Sequence, residues 1–167
     1  WHTHFQTMVP NLKISAGTGL HKGDRDYQQD QLGIWPHPQV KRCLLVVVAD
    51  GMGGRSGGRK ASDQVLLTAQ QLFSRVSPQA DSPQALLAQI AEDAHMVIRL
   101  TAVSAEQEPH STIAAFLVMP DGSCHWIHVG DSRIYHYRQH RLMKRTTDHS
   151  YVQTLVDKGV LSPEQAN

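Results

Sequence analysis

The sequence predicts an α+β fold, built as a layered sandwich of sheets and helices. Strand-like segments occur before and after one pair of adjacent amphipathic helices, and short turns join the strands of the second group. Strands do not alternate with helices as they do in βαβ units. The pattern therefore favours antiparallel sheets with a helical layer over a doubly wound parallel sheet.

Three strand-like segments precede the helices. Residues 12–20 and 31–35 are short, and a polar segment joins them. Residues 43–49 form a fully apolar run rich in valine, which is typical of a strand buried on both faces. Pro36 and Pro38 separate this run from the strand before it.

The two helices are predicted from apolar side chains that recur every three or four residues. Ser77-Pro78 and Ser82-Pro83 bracket the connection, and Pro83 suits the first turn of the second helix. The predicted buried stripes are Ala61, Val65, Ala69, Leu72, Phe73 and Val76 in the first helix, and Leu87, Ile90, Ala91, Ala94, Val97 and Ile98 in the second.

Two hairpins and a last helix follow. Residues 113–119 and 124–129 flank Pro120-Asp121-Gly122-Ser123, a strong turn because proline presets φ and glycine tolerates positive φ. Residues 134–137 and 142–144 flank a weaker turn at 138–141. We expect a helix from near Ser150 to Gly159, whose residue type commonly ends helices.

Composition limits the class of protein. A chain of 167 residues is one domain of ordinary size, and its net charge of +1 argues against a nucleic-acid partner. No apolar run reaches the roughly 18 residues that span a membrane, and no signal peptide opens the chain. We expect Cys43 and Cys124 to be small core residues rather than a disulfide, which fits a cytoplasmic protein.

A single carboxylate ends the apolar run of residues 43–49. Asp50 is followed by Gly51-Met52-Gly53-Gly54. An ionised Asp at the end of a buried strand is costly unless its charge is compensated, and a metal cation is the usual compensation. The glycines would let backbone groups approach an ion or a phosphate closely. The residues alone leave a second interpretation open, in which Asp50 caps the next helix after a tight turn.

Further acidic motifs lie at predicted strand ends and turns, and Ser111-Thr112 opens the strand that begins at Ile113. These motifs are Arg25-x-x-Gln28-Gln29-Asp30, Val129-Gly130-Asp131-Ser132-Arg133 and Thr146-Thr147-Asp148-His149-Ser150. In this order and spacing, the chain resembles the metal-dependent protein phosphatases of the PPM (2C) type, and specifically their compact bacterial branch. The resemblance covers roughly Ile14 to the last residue.

The resemblance implies a site for two Mn²⁺ or Mg²⁺ ions. Asp50 would bridge both ions, the Gly51 carbonyl would add an oxygen, and Asp30 would hold a metal-bound water. Arg25 would clamp the phosphate oxygens, because a planar bidentate donor suits them better than lysine does. Asp131 matches the position that helps to hold a third, weaker ion. Oxygen ligands of this kind suit hard divalent cations.

The resemblance also implies fold and activity. The fold would be an α-β-β-α sandwich of antiparallel sheets flanked by helices. The activity would be hydrolysis of phosphoserine and phosphothreonine by a water that two metal ions activate. The implied partners are phosphorylated proteins and a cognate Ser/Thr kinase system, with no nucleic acid and no membrane.

Several of these residues also permit plainer roles. Arg25 could pair with Asp24 or Asp26 on the surface, and Asp131 could satisfy the amides of its own turn. We expect Asp148 to cap the last helix, with His149 packed at its start. We expect Ser111 and Thr112 to begin a strand, and we expect His128 to be a core or hydrogen-bonded histidine within a strand.

The chain departs from the family pattern at particular positions. Gln29 stands where many relatives have Glu, although Gln can still accept a hydrogen bond, and Met52 stands where many eukaryotic members have a histidine. Two later metal-binding motifs of the family, a Ser-Asp-Gly and an Asp-Asn, are missing. We therefore expect an N-terminal tail at residues 1–11 and, at residues 12–167, a phosphatase domain truncated before its C-terminal metal-binding strands.

Two alternative functions remain at this point. One is a catalytically incomplete, phosphatase-like binding module. The other is a nucleotide-binding module that uses residues 50–58 as a phosphate cradle, although no Gly-Lys-Ser/Thr triplet follows that loop.

Overall fold

The structure is a computed structural model that describes residues 13–78, 80–102, 108–150 and 155–166. Within these residues the α+β class is confirmed. The elements are β1 (Asp30–Pro36), β2 (Leu44–Met52), α1 (Gly54–Arg75), α2 (Pro83–Ala102), β3 (His110–Ser111), β4 (Ile113–Val118), β5 (Cys124–Val129), β6 (Tyr135–Arg138), β7 (Arg141–Arg145) and a 3-10 helix (Pro163–Ala166).

The main sheet is antiparallel. Its strand order is β1-β2-β4-β5, and the short β3 pairs with the end of β2. The register of β1 against β2 sets Asp30 opposite Asp50. Strands β6 and β7 form a separate two-stranded hairpin. Both hairpins expected from the sequence are therefore confirmed.

Strand β2 is buried on one face only. Leu45, Val47 and Ala49 are fully buried beneath the helices, whereas Val48 is 41% exposed. Val48 and Val46 line a cavity of about 400 Å³ between the other face of the sheet and the β6–β7 hairpin. The expectation of a strand buried on both faces was wrong for these described residues, because an all-apolar run does not reveal which face is covered.

Helices α1 and α2 form the layer on the buried face of the sheet. Their buried side chains follow the predicted stripes, and Pro83 is the first residue of α2 as expected. Helix α1 begins at Gly54, inside the segment expected to be a turn. Gly53 is the only residue between β2 and α1, and its φ of 130° is accessible to glycine and rare for other residues.

Of the other local expectations, some are confirmed and some are wrong. Residues 13–20 form no strand, and no neighbouring strand pairs with them. Cys43 is buried, but Cys124 is exposed, and both are free thiols. Residues 155–157 are helical and Gly159 has a φ of 72°, as a helix end there requires. The expected tail at 1–11 and the start of the last helix at 151–154 lie outside the described residues.

No helix among the described residues is long and apolar enough to cross a membrane.

Phe73 anchors the end of α1 in the core. Its side chain is 1% exposed, and its ring meets the His37 ring edge-on at 5.1 Å. One ring nitrogen of His37, Nε2, is bonded to the Val76 carbonyl at 3.0 Å. The loop after β1 and the end of α1 are thus held together around one aromatic side chain.

We expect Phe73→Ala to lower the free energy of unfolding by about 3–5 kcal/mol, because it leaves a cavity in a packed core. Leu67→Ala is the matched control, since Leu67 lies on the same helix and is 47% exposed. The control should cost less than about 1 kcal/mol. Chemical denaturation followed by circular dichroism measures both values, and equal losses would contradict this placement of α1.

Candidate metal centre

Two carboxylates meet where β1 begins and β2 ends. Asp30 and Asp50 are cross-strand neighbours, and their carboxyl groups lie close enough to share a hydrogen bond when one of them is protonated. Burial, this hydrogen bond and the negative charges of Asp30 and Asp131 raise the pKa of Asp50 to about 6, while the positive charge of Arg25 lowers it. The same four residues that the sequence singled out therefore lie within electrostatic reach of one another.

Arg25 lies within electrostatic range of this acidic centre. It lies in the exposed segment before β1, and no ion pair joins it to Asp24 or Asp26 among the described residues. Its charge lowers the pKa of Asp50, as a cation directed toward that carboxylate would. The plainer role of Arg25, as a surface partner of its own neighbours, is therefore not favoured.

Thr112 connects the two chain segments that carry Asp50 and Asp131. The Asp50 amide donates to the Thr112 hydroxyl at 3.0 Å, and the Thr112 amide donates to the Asp50 carbonyl at 2.9 Å. The same hydroxyl is hydrogen-bonded to the Ser132 hydroxyl at 2.6 Å. Thr112 is 4% exposed. It is more than the strand-start residue expected from sequence, because its side chain fixes the end of β2 against the turn after β5.

Gly130 lets that turn rest directly on Thr112. Its φ is 107°, and a Cβ at this position would lie 2.7 Å from the Thr112 methyl carbon. A residue with a side chain would therefore push the next residue, Asp131, away from the centre. This glycine is a positional requirement of the acidic turn.

The glycines after Asp50 bring backbone against backbone. A Cβ on Gly51 would lie 1.9 Å from the Gly58 carbonyl oxygen, and a Cβ on Gly58 would lie 2.9 Å from the Gln29 side chain. The Gln29 carbonyl accepts hydrogen bonds from the Gly51 amide at 3.2 Å and the Ser62 hydroxyl at 2.6 Å. The first turns of α1 are thus pressed onto the end of β2, beside the acidic pair.

Gln29 acts as a donor at this contact. Its side-chain amide donates to the Gly54 carbonyl at 2.8 Å. A glutamate carboxylate has no proton to donate there at neutral pH. The departure from the family pattern at this position therefore has a local role, which differs from the acceptor role considered from sequence.

Arg133 and Asp148 form a two-hydrogen-bond ion pair next to the centre. Arg133 Nε and Nη2 donate to the two carboxylate oxygens of Asp148, each at 2.8 Å, and this contact holds the pKa of Asp148 below its usual range. The Asp148 carboxylate, expected to cap a helix, thus binds Arg133. His128 is hydrogen-bonded to the Thr147 carbonyl at 2.8 Å, so its expected hydrogen-bonded role is confirmed.

The donor set of the centre fits a hard divalent cation. Two carboxylates in contact, with a third nearby, carry more negative charge than Arg25 alone can balance. All of these donors are oxygens, as Mg²⁺ and Mn²⁺ prefer. Within the described part of the chain, no three His, Cys, Asp or Glu side chains are grouped so as to hold an ion. The described residues thus supply part of a ligand set.

The fold and this centre define an α+β protein with clustered carboxylates at the end of an antiparallel sheet. The family model for protein phosphatase 2C matches residues 19–157. The chain belongs to the protein phosphatase 2C family.

Individual relatives agree with this assignment. The chain is 33% identical to the serine/threonine protein phosphatase PstP of Mycobacterium tuberculosis over 127 residues, which are 74% of this chain and 24% of PstP. A solved PstP catalytic domain in complex with two manganese ions has a TM-score of 0.68 at 30% identity, over 85% of this chain and 58% of that one.

A second solved structure extends the comparison. The serine/threonine phosphatase Stp1 of Staphylococcus aureus has a TM-score of 0.74 at 26% identity, over 92% of this chain and 63% of that one. The chain therefore spans less than two thirds of the length of each of these relatives.

We expect Gly58→Ala to lower the free energy of unfolding by about 1–3 kcal/mol, because its Cβ would collide with Gln29 and with the Gly51 backbone. Gly57→Ala is the matched control in the same helix, where the nearest atom to an added Cβ is 3.7 Å away. The control should stabilise the protein by about 0.5–1 kcal/mol, since alanine favours helix over glycine. Urea denaturation compares the two, and a stabilising Gly58→Ala would contradict the close contact.

Thr112→Val should cost about 1–3 kcal/mol, because it keeps the shape of the side chain but leaves the Asp50 amide and the Ser132 hydroxyl without this partner. Thr112→Ser keeps the hydroxyl and should retain more stability and more Mn²⁺ affinity than Thr112→Val. Denaturation and Mn²⁺ titration calorimetry measure both properties. The reverse order of the two variants would show that the methyl group, rather than the hydroxyl, matters here.

Proposed function

We propose that this chain is part of a metal-dependent protein serine/threonine phosphatase that hydrolyses phosphoserine and phosphothreonine. The observation that carries the proposal is the convergence of Asp30, Asp50 and Asp131 with Arg25. Membership of the protein phosphatase 2C family and the two manganese ions in the solved PstP domain support it.

The proposed residue roles follow from chemistry. Asp50, the Gly51 carbonyl, Asp30 and Asp131 would hold Mn²⁺ or Mg²⁺. When bound, the ions supply an activated water for attack on phosphorus. Arg25 binds and orients the phosphate oxygens through paired N–H donors. The catalytic residues proposed for this chain are Arg25, Asp30 and Asp50.

The domain assignment is part of the same proposal. Residues 12–167 would form the phosphatase domain up to its C-terminal metal-binding strands, after a tail at residues 1–11. Coverage of 58% and 63% of the two solved relatives supports this division. The finer expectations are that the substrates are phosphoproteins of a signalling pathway with a cognate Ser/Thr kinase, and that the protein is cytoplasmic. The two free thiols are compatible with a reducing compartment.

A catalytically incomplete, phosphatase-like binding module is the second candidate. The relatives named as serine/threonine phosphatases do not favour it. The nucleotide-binding alternative is less compatible with the described contacts, because Gly51 and Gly58 are occupied by the packing of α1 on β2.

Asp50→Asn tests the assigned site with a readout besides activity. Burial and Asp30 raise the pKa of Asp50, so ionised Asp50 costs stability above pH 6. The metal-free variant should therefore be at least as stable as the wild type at neutral pH. It should lose the increase in melting temperature that Mn²⁺ produces, together with Mn²⁺-dependent release of phosphate from an aryl phosphate.

Glu92→Gln, an exposed substitution on α2, is the control and should behave as the wild type. If Mn²⁺ raises the melting temperature of Asp50→Asn as much as that of the wild type, Asp50 is not a metal ligand. Wild-type stabilisation by Mn²⁺ without turnover would favour the binding-module candidate.

A further inference from the structure

Residues 146–149 make contacts that the proposed roles of the site residues do not use. They belong to the motif Thr146-Thr147-Asp148-His149-Ser150, and they lie against the turn that carries Asp131. We call residues 146–149 the bracing segment and residues 130–134 the acidic turn. Both backbone and side-chain contacts join the two.

Backbone groups join the bracing segment to both ends of the acidic turn. At the first end, the His149 amide donates to the Gly130 carbonyl at 2.8 Å. At the other end, the Thr146 amide donates to the Ile134 carbonyl at 3.1 Å, and the Ile134 amide donates to the Thr146 hydroxyl at 3.0 Å. Thr146 is buried, so water competes little for these bonds. The two ends of the turn are therefore held at a fixed separation.

A charged contact ties the turn to the same segment between these ends. The guanidinium of Arg133 pairs with both carboxylate oxygens of Asp148, and a paired contact of this kind fixes direction as well as distance. The bracing segment is itself attached to β5. His128 Nε2 is hydrogen-bonded to the Thr147 carbonyl, and the rings of His128 and His149 stack with their centres 4.4 Å apart. The acidic turn is therefore held against a strand of the main sheet.

Asp131 is positioned by its neighbours rather than by bonds of its own. Gly130 before it is bonded to the bracing segment, and the hydroxyl of Ser132 after it is bonded to Thr112. In the part of the chain that the structure describes, the Asp131 carboxylate has no hydrogen bond and no ion pair. Its negative charge nevertheless acts on Asp50. The place of this carboxylate beside the acidic centre thus depends on how the turn is held.

We propose that Arg133 and Asp148 are positioning residues, and that their ion pair holds the Asp131 carboxylate in place for a divalent cation. This inference rests on the proposed function, in which Asp131 helps to hold a metal ion. It adds two residues to that function, and both act on the metal only through the acidic turn.

Removal of Arg133 separates this role from a purely electrostatic one. Arg133→Met leaves the Asp148 carboxylate without this partner, so the charge around the acidic centre becomes more negative. By charge alone, the variant should bind Mn²⁺ more tightly. Loss of the positioning contact should instead weaken Mn²⁺ binding. The two explanations therefore predict changes of opposite sign.

The test measures the Mn²⁺ affinity of the whole chain by titration calorimetry without substrate, at a temperature at which circular dichroism shows each variant to be folded. We expect Arg133→Met to weaken Mn²⁺ binding roughly tenfold, as the loss of a residue that orients a metal ligand commonly does. Arg133→Lys keeps the charge but not the paired geometry, so its affinity should lie between the two. Arg138→Met, which removes an exposed arginine of β6, is the matched control and should bind Mn²⁺ as the wild type does.

Asp131→Asn shows whether Arg133 acts through Asp131. In a chain that already carries Asp131→Asn, we expect Arg133→Met to change Mn²⁺ affinity by less than roughly twofold. An equal loss of affinity in both backgrounds would overturn the proposal, and so would unchanged or tighter binding by Arg133→Met alone. If Arg133→Met does not fold, Arg133→Lys is compared in the same two backgrounds, and the same outcomes decide.

Mn²⁺-dependent release of phosphate from an aryl phosphate, measured separately, distinguishes the two failures. Absent turnover with an Asp131-dependent effect of Arg133 on Mn²⁺ affinity contradicts the proposed function and leaves the positioning role in place. Normal turnover with Mn²⁺ affinity independent of Arg133 contradicts the positioning role alone. A wild-type chain that binds no Mn²⁺ would contradict both.

Discussion

The pairing of β1 with β2 sets Asp30 opposite Asp50, and much of the surrounding structure serves to keep these two carboxylates together. Their contact is unfavourable by itself, because burial disfavours the ionised carboxyl group and like charges repel, and these effects raise the pKa of Asp50. Backbone hydrogen bonds of the antiparallel ladder hold the pair in place despite this repulsion. A centre of carboxylate oxygens held together in this way favours hard divalent cations. Such cations are the cofactors of the protein phosphatase 2C family, to which the chain belongs.

Two close contacts, each formed by small residues, hold the Asp30–Asp50 pair in position. On one side, the Thr112 hydroxyl joins the Asp50 amide to Ser132, and Gly130 lets the acidic turn lie against the Thr112 methyl group. On the other side, Gly51 and Gly58 allow the start of α1 to press onto the end of β2. Neither contact tolerates added volume, so the position of the carboxylates depends on residues that do not themselves touch a metal or a phosphate.

The molecule separates its charges. Negative side chains collect at the end of the main sheet, and positive side chains collect on the β6–β7 hairpin, which Arg133 and Asp148 fix to the adjoining segment. An acidic centre of this kind attracts cations and repels other negatively charged groups.

The sequence by itself determined the types and order of most elements, the two hairpins, Pro83 at the start of α2 and the motifs that carry Arg25, Asp30, Asp50 and Asp131. These features follow from the two-residue period of strands, the 3.6-residue period of helices and the local chemistry of turns. Only the tertiary structure decided which face of β2 is covered, that Cys124 is exposed, that Asp148 binds Arg133 and that Thr112 supports Asp50 across a separation of 62 residues. Such contacts depend on strand register and on the approach of distant segments, and no period within one segment encodes them.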